Sequence, residues 1–185
     1  MRLGIIAEDD SDVEVLQILA RRLLPAGTLK VKRFAASGCG QLRRKCRAWG
    51  EVLRQRGCSH LVVAHDLDYG DVAEIRVALE ASVEGLYFKA KLILIPVREI
   101  EAWLLCDADA LRSVFGLSFA PKVPKSPQSL DRPKEALRDL IWKSGKSRYL
   151  NTIHNAKIAE VLRLEKLAGC ASFAPYPLFL KGRKG

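Results

Sequence analysis

The stretch "HLVVAHDLDYGD", residues 60–71, sets two carboxylates, Asp66 and Asp68, directly after a run of small apolar residues. The apolar part reads as a buried β-strand, and the acids fall where that strand ends. Residues i and i+2 of a strand share a face, about 6.6 Å apart along it. If the strand geometry persists that far, both acids look into one crevice, and they repel each other unless a positive group sits between them. The plain alternative is local. Asp commonly opens turns, Tyr69-Gly70 follows, and Asp71 is placed to cap the next helix.

Working outward, short apolar strands alternate with helical segments. "RLGIIA" (2–7) reads as a strand. Residues 11–24 have helical spacing, with Ser11 and Glu14 forming a capping box and Pro25 closing the segment. "TLKVKRF" (28–34) alternates like a half-exposed strand. Residues 37–57 read as a polar, basic helix with Leu42, Cys46, Trp49 and Leu53 on one side. A helix is expected from about Asp71 to Val83, a strand over "KAKLILIPV" (89–97), and one or two helices over 99–116. This order predicts an α/β fold of the Rossmann-like kind: a mostly parallel four-stranded sheet flanked by helices. Ligands of such sheets gather at the carboxyl ends of the strands, where Glu8 and Asp66 both fall.

After Gly116 the character changes. Four prolines mark a loop, two helices are expected over 133–145 and 155–169, and the end reads as irregular and basic. The expected organisation is a core over 1–116 with a loop and helical extension over 117–185 packed on it, a single domain overall.

Composition narrows the classes. Of 185 residues, 49% are apolar, enough for a real core. No apolar run approaches the roughly 20 residues that span a bilayer. The first apolar stretch is too short for a signal peptide, so a cytoplasmic setting is expected. The five cysteines are widely spaced and lack the C-x-x-C pairs of structural zinc. A net charge of +10 favours phosphate-rich partners, nucleic acid first. Lys122, Lys125, Lys134, Lys143, Lys146 and Arg148 are candidates for a phosphate track, although solvated surface is the commoner fate of such residues.

Two tempting motifs fail. "SGKS" (144–147) ends like a phosphate-binding P-loop, but position 140 is Leu rather than Gly and no strand precedes it. His60, His65 and His154 lack metalloprotease spacing. His65 adjoins Asp66 and is either a tucked strand-end residue or an aid to proton transfer. Glu99 and Glu101 open the helix after the fourth strand, where the helix dipole favours acids; Asp12 lies in the first turn of its own helix for the same reason. Both Glu101 and Asp12 nevertheless lie near the carboxyl edge of the sheet and join the candidate site.

Two family resemblances rest on these residues. "LGIIAEDDSDVEVLQILARRL" resembles the start of a response-regulator receiver domain, which would make Asp9 and Asp10 the Mg²⁺ pair and Asp66 a phosphoryl acceptor. The remainder departs: "LILIPV" runs into Arg98 where a receiver has Thr or Ser, and no fifth strand with its Lys is found. The Toprim domain of topoisomerases, primases and OLD-type (overcoming lysogenization defect) nucleases is the better match. Its Glu after strand one and Asp-x-Asp after strand three fall on Glu8 and Asp66-Leu67-Asp68, and the additional acid of OLD-type nucleases falls on Asp12. Asp9 stands where Toprim domains usually carry Gly. Closer still, "VREIEAWLLCD" (97–107), "RPKEAL" (132–137) and "SF" (172–173) resemble a Toprim-like family, domain of unknown function 4276. The resemblance implies Mg²⁺- or Mn²⁺-dependent hydrolysis of nucleic-acid phosphodiester bonds, often alongside a separate ATPase. Glu8, Asp66 and Asp68 would be the catalytic acids and, with Asp12 and Glu101, the metal ligands. A non-catalytic partner-binding module on the same fold stays open as a third reading.

Overall fold

The computed structural model describes residues 1–182. Four strands, β1 (Arg2–Ala7), β2 (Lys30–Ala35), β3 (His60–Ala64) and β4 (Ala90–Leu94), form one sheet in the order β2-β1-β3-β4. All three pairings are parallel. The connections are helices, as parallel pairing requires: α1 (Asp10–Leu23), α2 (Cys39–Gln55) and α3 (Val72–Ser82). The expected α/β architecture is therefore the one observed, a four-stranded parallel sheet flanked by helices.

The period-2 pattern sorts the strands into two apolar layers. Leu3, Ile5, Ala7, Val62, Ala64 and Leu94 face one side with α1. Ile6, Leu61, Val63 and Ile93 face the other, where Leu42, Cys46 and Leu53 of α2 and Ile75 and Leu79 of α3 meet them. Gly4 belongs to this second side. A Cβ there would sit 3.0 Å from Leu53 Cδ1, so its absence lets α2 approach the sheet.

Beyond β4 the chain forms α4 (Glu101–Leu104), α5 (Ala108–Phe115), α6 (Pro133–Gly145), α7 (Asn151–Val161) and α8 (Pro175–Leu180). Leu137, Ile141, Ile158 and Tyr176 from these helices share the apolar layer of α1 and β1. Helix α7 packs along α1. Arg22 Nη1 donates to the Ala159 carbonyl at 2.7 Å, and the buried Tyr176 hydroxyl donates to the Leu16 carbonyl at 2.8 Å. Among the described residues no helix is long and apolar enough to cross a membrane.

Several boundaries differ from those read in the sequence. Helix α1 is capped by Asp9, whose carboxylate accepts from Asp12 N–H at 2.9 Å, so the expected Ser11–Glu14 capping box does not form. Ser11 lies inside the first turn instead, and its hydroxyl accepts from Asn155. The helix expected over 155–169 runs from Asn151 to Val161, with a 3₁₀ turn over Leu164–Gly169. Arg163 N–H leaves the helical ladder because it donates to Asp107 Oδ2 at 2.8 Å. The tail read as irregular contains α8; its last three residues lie outside the described residues.

Asp107 caps α5 through Asp109 and Ala110 N–H and also receives Arg163 Nε and Nη2 at 3.0 and 2.7 Å. Burial pushes its pKa up, but the Arg163 hydrogen bonds outweigh this and hold it down, at about 2. A depressed carboxylate pKa stabilises the fold above its unfolded value of about 3.9, and that contribution is lost as pH falls toward 2. Asp107→Asn keeps a capping oxygen but removes the charge. We expect it to cost about 1–3 kcal/mol at pH 7, the scale of hydrogen bonds to a charged acceptor. The gap from wild type should close between pH 4 and 2 in urea titrations; a gap independent of pH would contradict this assignment.

Candidate functional site

The carboxyl ends of β1, β3 and β4 form one rim of the sheet. From β1 come Glu8 and, in the first turn of α1, Asp12. From β3 come His65 and Asp66. From β4 the chain passes through Pro96–Ile100 into Glu101 at the start of α4. Asp12 and Glu101 are buried, at 7% and 3% exposure, and Asp66 is half-buried.

Glu8 ties the first two strands together. Its Oε1 accepts Asp66 N–H at 2.9 Å and lies 3.0 Å from His65 Nδ1. Arg43 Nε–H donates to His65 Nε2 at 3.2 Å, which leaves the ring proton on Nδ1, between Glu8 and the Asp66 carbonyl at 2.6 Å. Burial lowers the His65 pKa, but the bonds to Glu8 and to that carbonyl reverse it, and the net shift is upward. His65 is thus the tucked strand-end residue of the two readings, and it fixes Glu8.

Glu101 is held by α7 and by the connection that precedes it. Its Oε1 receives Asn155 Nδ2 at 3.1 Å, lies 3.1 Å from the Tyr149 hydroxyl, and sits 4.0 Å from Lys134 Nζ. The Tyr149 hydroxyl also lies 2.6 Å from Asn155 Oδ1, so its single proton serves one acceptor at a time. Asn155 continues to Ser11 Oγ at 3.1 Å, closing a buried path back to α1. Glu99, expected to complement its own helix dipole, instead accepts Lys134 N–H at 2.8 Å and so serves the N-terminus of α6.

Asp12 and Asp66 have no such support. Among the described residues no donor bonds to their carboxylate oxygens, and no Lys or Arg forms an ion pair with them. Burial raises both pKa values well above the ordinary carboxylate range. Asp9, Glu101 and Glu8 push Asp12 further; Asp12, Glu101, Glu8 and Asp68 push Asp66 further. Lys134 is the cation that opposes this for Asp12. Four acids, Glu8, Asp12, Asp66 and Glu101, thus crowd one rim with too little positive charge.

Asp68 is placed differently from the expectation of a continued strand. β3 ends at Ala64, and Asp68 adopts φ 45°, which breaks the i, i+2 alternation. Its N–H donates to the Arg98 carbonyl at 3.0 Å, and Arg98, itself at φ 62°, returns Nη1 to the Asp68 carbonyl at 2.6 Å. The Asp68 side chain is exposed at the mouth of the site. Burial and Glu8 raise its pKa while His65 and Arg98 lower it; the net is upward. Asp71 is the helix cap that the sequence suggested, accepting from Ala73 and Glu74 N–H.

The candidate phosphate-track residues divide. Lys134 and Arg148 line a cavity of about 530 Å³ with Tyr149 and Trp142, and Lys146 lies over the Trp142 ring at 5.4 Å. Lys125 lines a separate hollow beside Cys106 and Cys170, while Lys122 and Lys143 are simply exposed.

The donor set is all carboxylate oxygen, which suits a hard divalent cation such as Mg²⁺ or Mn²⁺. Among the described residues no group of three or more His, Cys, Asp and Glu side chains is set to hold a metal ion as it stands. Mutual repulsion of ionised carboxylates opposes such a grouping until a cation or protons compensate it. No fully enclosed polar side-chain atom goes unpartnered among the described residues, so the carboxylate oxygens that lack a protein donor keep some contact with solvent.

A parallel α/β sheet with an acid-lined carboxyl rim defines the class. The profile of the family described as "Domain of unknown function (DUF4276)" matches residues 8–177, and the chain belongs to that family. No curated protein and no solved structure matches it. The three segments that carried the resemblance meet in space. Trp103 Nε1 donates to Ser172 Oγ at 2.9 Å, and its ring meets Phe173 edge-on at 5.2 Å. Glu99 and Glu101 both engage Lys134. Thus "EAWLL", "PKEAL" and "SF" form one packed unit around Glu101.

A raised carboxylate pKa makes the folded state bind protons more tightly than the unfolded chain. The stabilisation is complete below the unfolded value of about 3.9 and is lost as pH rises through the folded values. We expect the metal-free protein to lose stability as pH rises toward 8, and Asp66→Asn to flatten that loss. The variant should melt about 2–4 °C above wild type at pH 8 without divalent ions, what ~1 kcal/mol is worth in a chain of this size. A lower melting temperature for Asp66→Asn under those conditions would show that the ionised carboxylate is well compensated.

Proposed function

We propose that the protein is a divalent-metal-dependent phosphodiester hydrolase of the Toprim kind, acting on nucleic acid. The observation that carries this reading is the crowding of Glu8, Asp12, Asp66 and Glu101 at one sheet rim, with Asp12 and Asp66 lacking any donor among the described residues. Crowding partly buried ionised carboxylates without partners is costly, and fold stability does not call for it.

In this reading Asp66, Asp12 and Glu101 are the principal ligands of Mg²⁺ or Mn²⁺, with Glu8 beside them. When bound, such an ion lowers the pKa of water and polarises phosphoryl oxygens. The chain supplies the rest. Tyr149 and Asn155 hold Glu101 by one oxygen and leave Oε2 without a partner among the described residues. His65 and Asp66 N–H hold Glu8 in the same way, leaving its Oε2 available to accept a proton from an attacking water. Exposed Asp68 stands at the entrance and contributes at the periphery. A separate ATPase partner is part of the same proposal.

The receiver reading draws less support. The sheet has four strands among the described residues, so no fifth strand supplies the Lys that such a domain places beside its acceptor. Asp66 also sits among other acids, where a phosphoryl group would add further negative charge.

Plasmid nicking tests the proposal. Wild type should nick with Mg²⁺ or Mn²⁺ and not in EDTA. Asp66→Ala and Glu101→Ala should each lose activity at least ~100-fold, the scale of removing one strong transition-state contact, and Asp68→Ala should lose less. Mn²⁺ should raise the melting temperature more at pH 8 than at pH 5.5, since binding displaces protons. Equal nicking by Asp66→Ala, or no divalent effect on melting, would contradict the proposal.

A further inference from the structure

The positive charge of this chain is concentrated. Between Lys30 and Gly57 it carries nine Lys and Arg and one acid, Glu51, so this segment holds +8 of the net +10. That segment is β2 and α2. The remaining residues, including the lysines of the C-terminal part, are close to charge balance.

Two elements turn this charge into a face. β2 is an edge strand, with Lys30, Lys32 and Phe34 alternating along one side. The Phe34 ring stacks on Trp49 of α2 at 5.3 Å and 4°, and Arg56 lies over Phe34 at 5.5 Å. Lys45 and Trp49 fall on one stripe of the helix, and Arg56 is its C-cap residue. Lys32, Arg56 and Arg2 are close enough to Cys58 that all three oppose the upward push of burial on its thiol. At the other end of α2, Arg43 bonds His65, which holds Glu8. The face therefore starts beside the acid rim and follows a 17-residue helix, about 26 Å long.

Lysines on an edge strand deter sheet-to-sheet pairing, which accounts for Lys30 and Lys32. It does not account for Lys45 on the helix or Arg56 at its C-cap. Arg33 pairs with Glu14 and Arg47 with Glu51, but Lys30, Lys32, Lys45 and Arg56 have no ion-pair partner among the described residues; they repel one another, and an external polyanion relieves that repulsion. Phe34 and Trp49 stack on each other and Arg56 lies over Phe34, so those ring faces are closed to stacking bases. What the face presents outward is charge over a length of about 8 base pairs, at one phosphate charge per ~1.7 Å of duplex axis.

We propose that the β2 edge and α2 bind the phosphate backbone of a nucleic-acid duplex and lead it to the acid rim. The location of the face beside that rim gains its meaning from the hydrolase reading, on which this inference rests. The cavity at Trp142 and the loop lysines then lie outside the main interface.

Anisotropy of a labelled duplex of roughly 20 base pairs tests this in EDTA, over about 50–200 mM salt. The variant Lys32→Ala/Lys45→Ala/Arg56→Ala should bind at least about 10-fold more weakly, with the slope of log affinity against log salt shallower by about 2–3, near 0.9 for each phosphate no longer neutralised. Lys122→Ala/Lys125→Ala/Lys143→Ala should match wild type. Lys45→Glu alone should weaken binding and, as an exposed single change, keep the fold. An unchanged slope in the first triple, an equal loss in the second, or tighter binding of a single strand of equal length overturns the proposal. Because binding is read without divalent ions, the two readings separate. Duplex binding through this face with no metal-dependent nicking refutes the hydrolase alone, and nicking with duplex binding unaffected by the first triple refutes the face alone.

Discussion

Repulsion among carboxylates at the rim of the sheet is the constraint around which this molecule is arranged. A parallel sheet brings the ends of β1, β3 and β4 to one edge, and the chain sets an acid at or near each of them. Hydrogen bonds steady two of these acids: Glu8 through His65 and the Asp66 amide, and Glu101 through Tyr149 and Asn155. Asp12 and Asp66 stay uncompensated, and their pKa values rise in consequence. Burial makes this unfavourable for the protein alone; a divalent cation is what we propose offsets it, because the same low polarity that penalises lone charges strengthens their attraction to an ion.

The C-terminal helices act on this rim from behind. Tyr149 and Asn155 reach Glu101 while Tyr176 and Ile158 join the apolar layer of α1. Trp103, two residues after Glu101, is fully buried and is held by Ser172 and Phe173. Disturbing these helices therefore disturbs the position of an acid. The loop pair Asp68 and Arg98, both with positive φ, shapes the mouth of the same rim. Strained backbone of this kind is tolerated where surrounding contacts fix it, here by reciprocal bonds between the two residues.

The fold was legible in the sequence because its signals are short range. Apolar runs such as "LVVA" and helical spacings over 11–24 and 133–145 depend on neighbours along the chain. Asp71 as a cap was legible for the same reason. The α1 cap was misread because Asp9, Asp10, Ser11 and Asp12 all suit a helix start, and the choice among them turns on where β1 releases the chain. Asp68 was misplaced because nothing local announces a positive φ at a non-glycine residue. Tyr149 and Asn155 left no signal as partners of Glu101, lying 48 and 54 residues from it. The basic character of 37–57 was visible, but its junction with β2 and with His65 appears only when the strands are placed side by side. The lysines of the C-terminal loop, similar in type, turn out to be dispersed.

Glu8, Asp12, Asp66 and Glu101 together make the proposed cation site. Anomalous diffraction from crystals equilibrated with saturating Mn²⁺ tests it most directly. A strong peak bonded to Asp66, Asp12 and Glu101 oxygens, with Glu8 beside it, is expected. A map without a peak at that rim, with Asp12 and Asp66 engaged by protein donors or protonated instead, would contradict it.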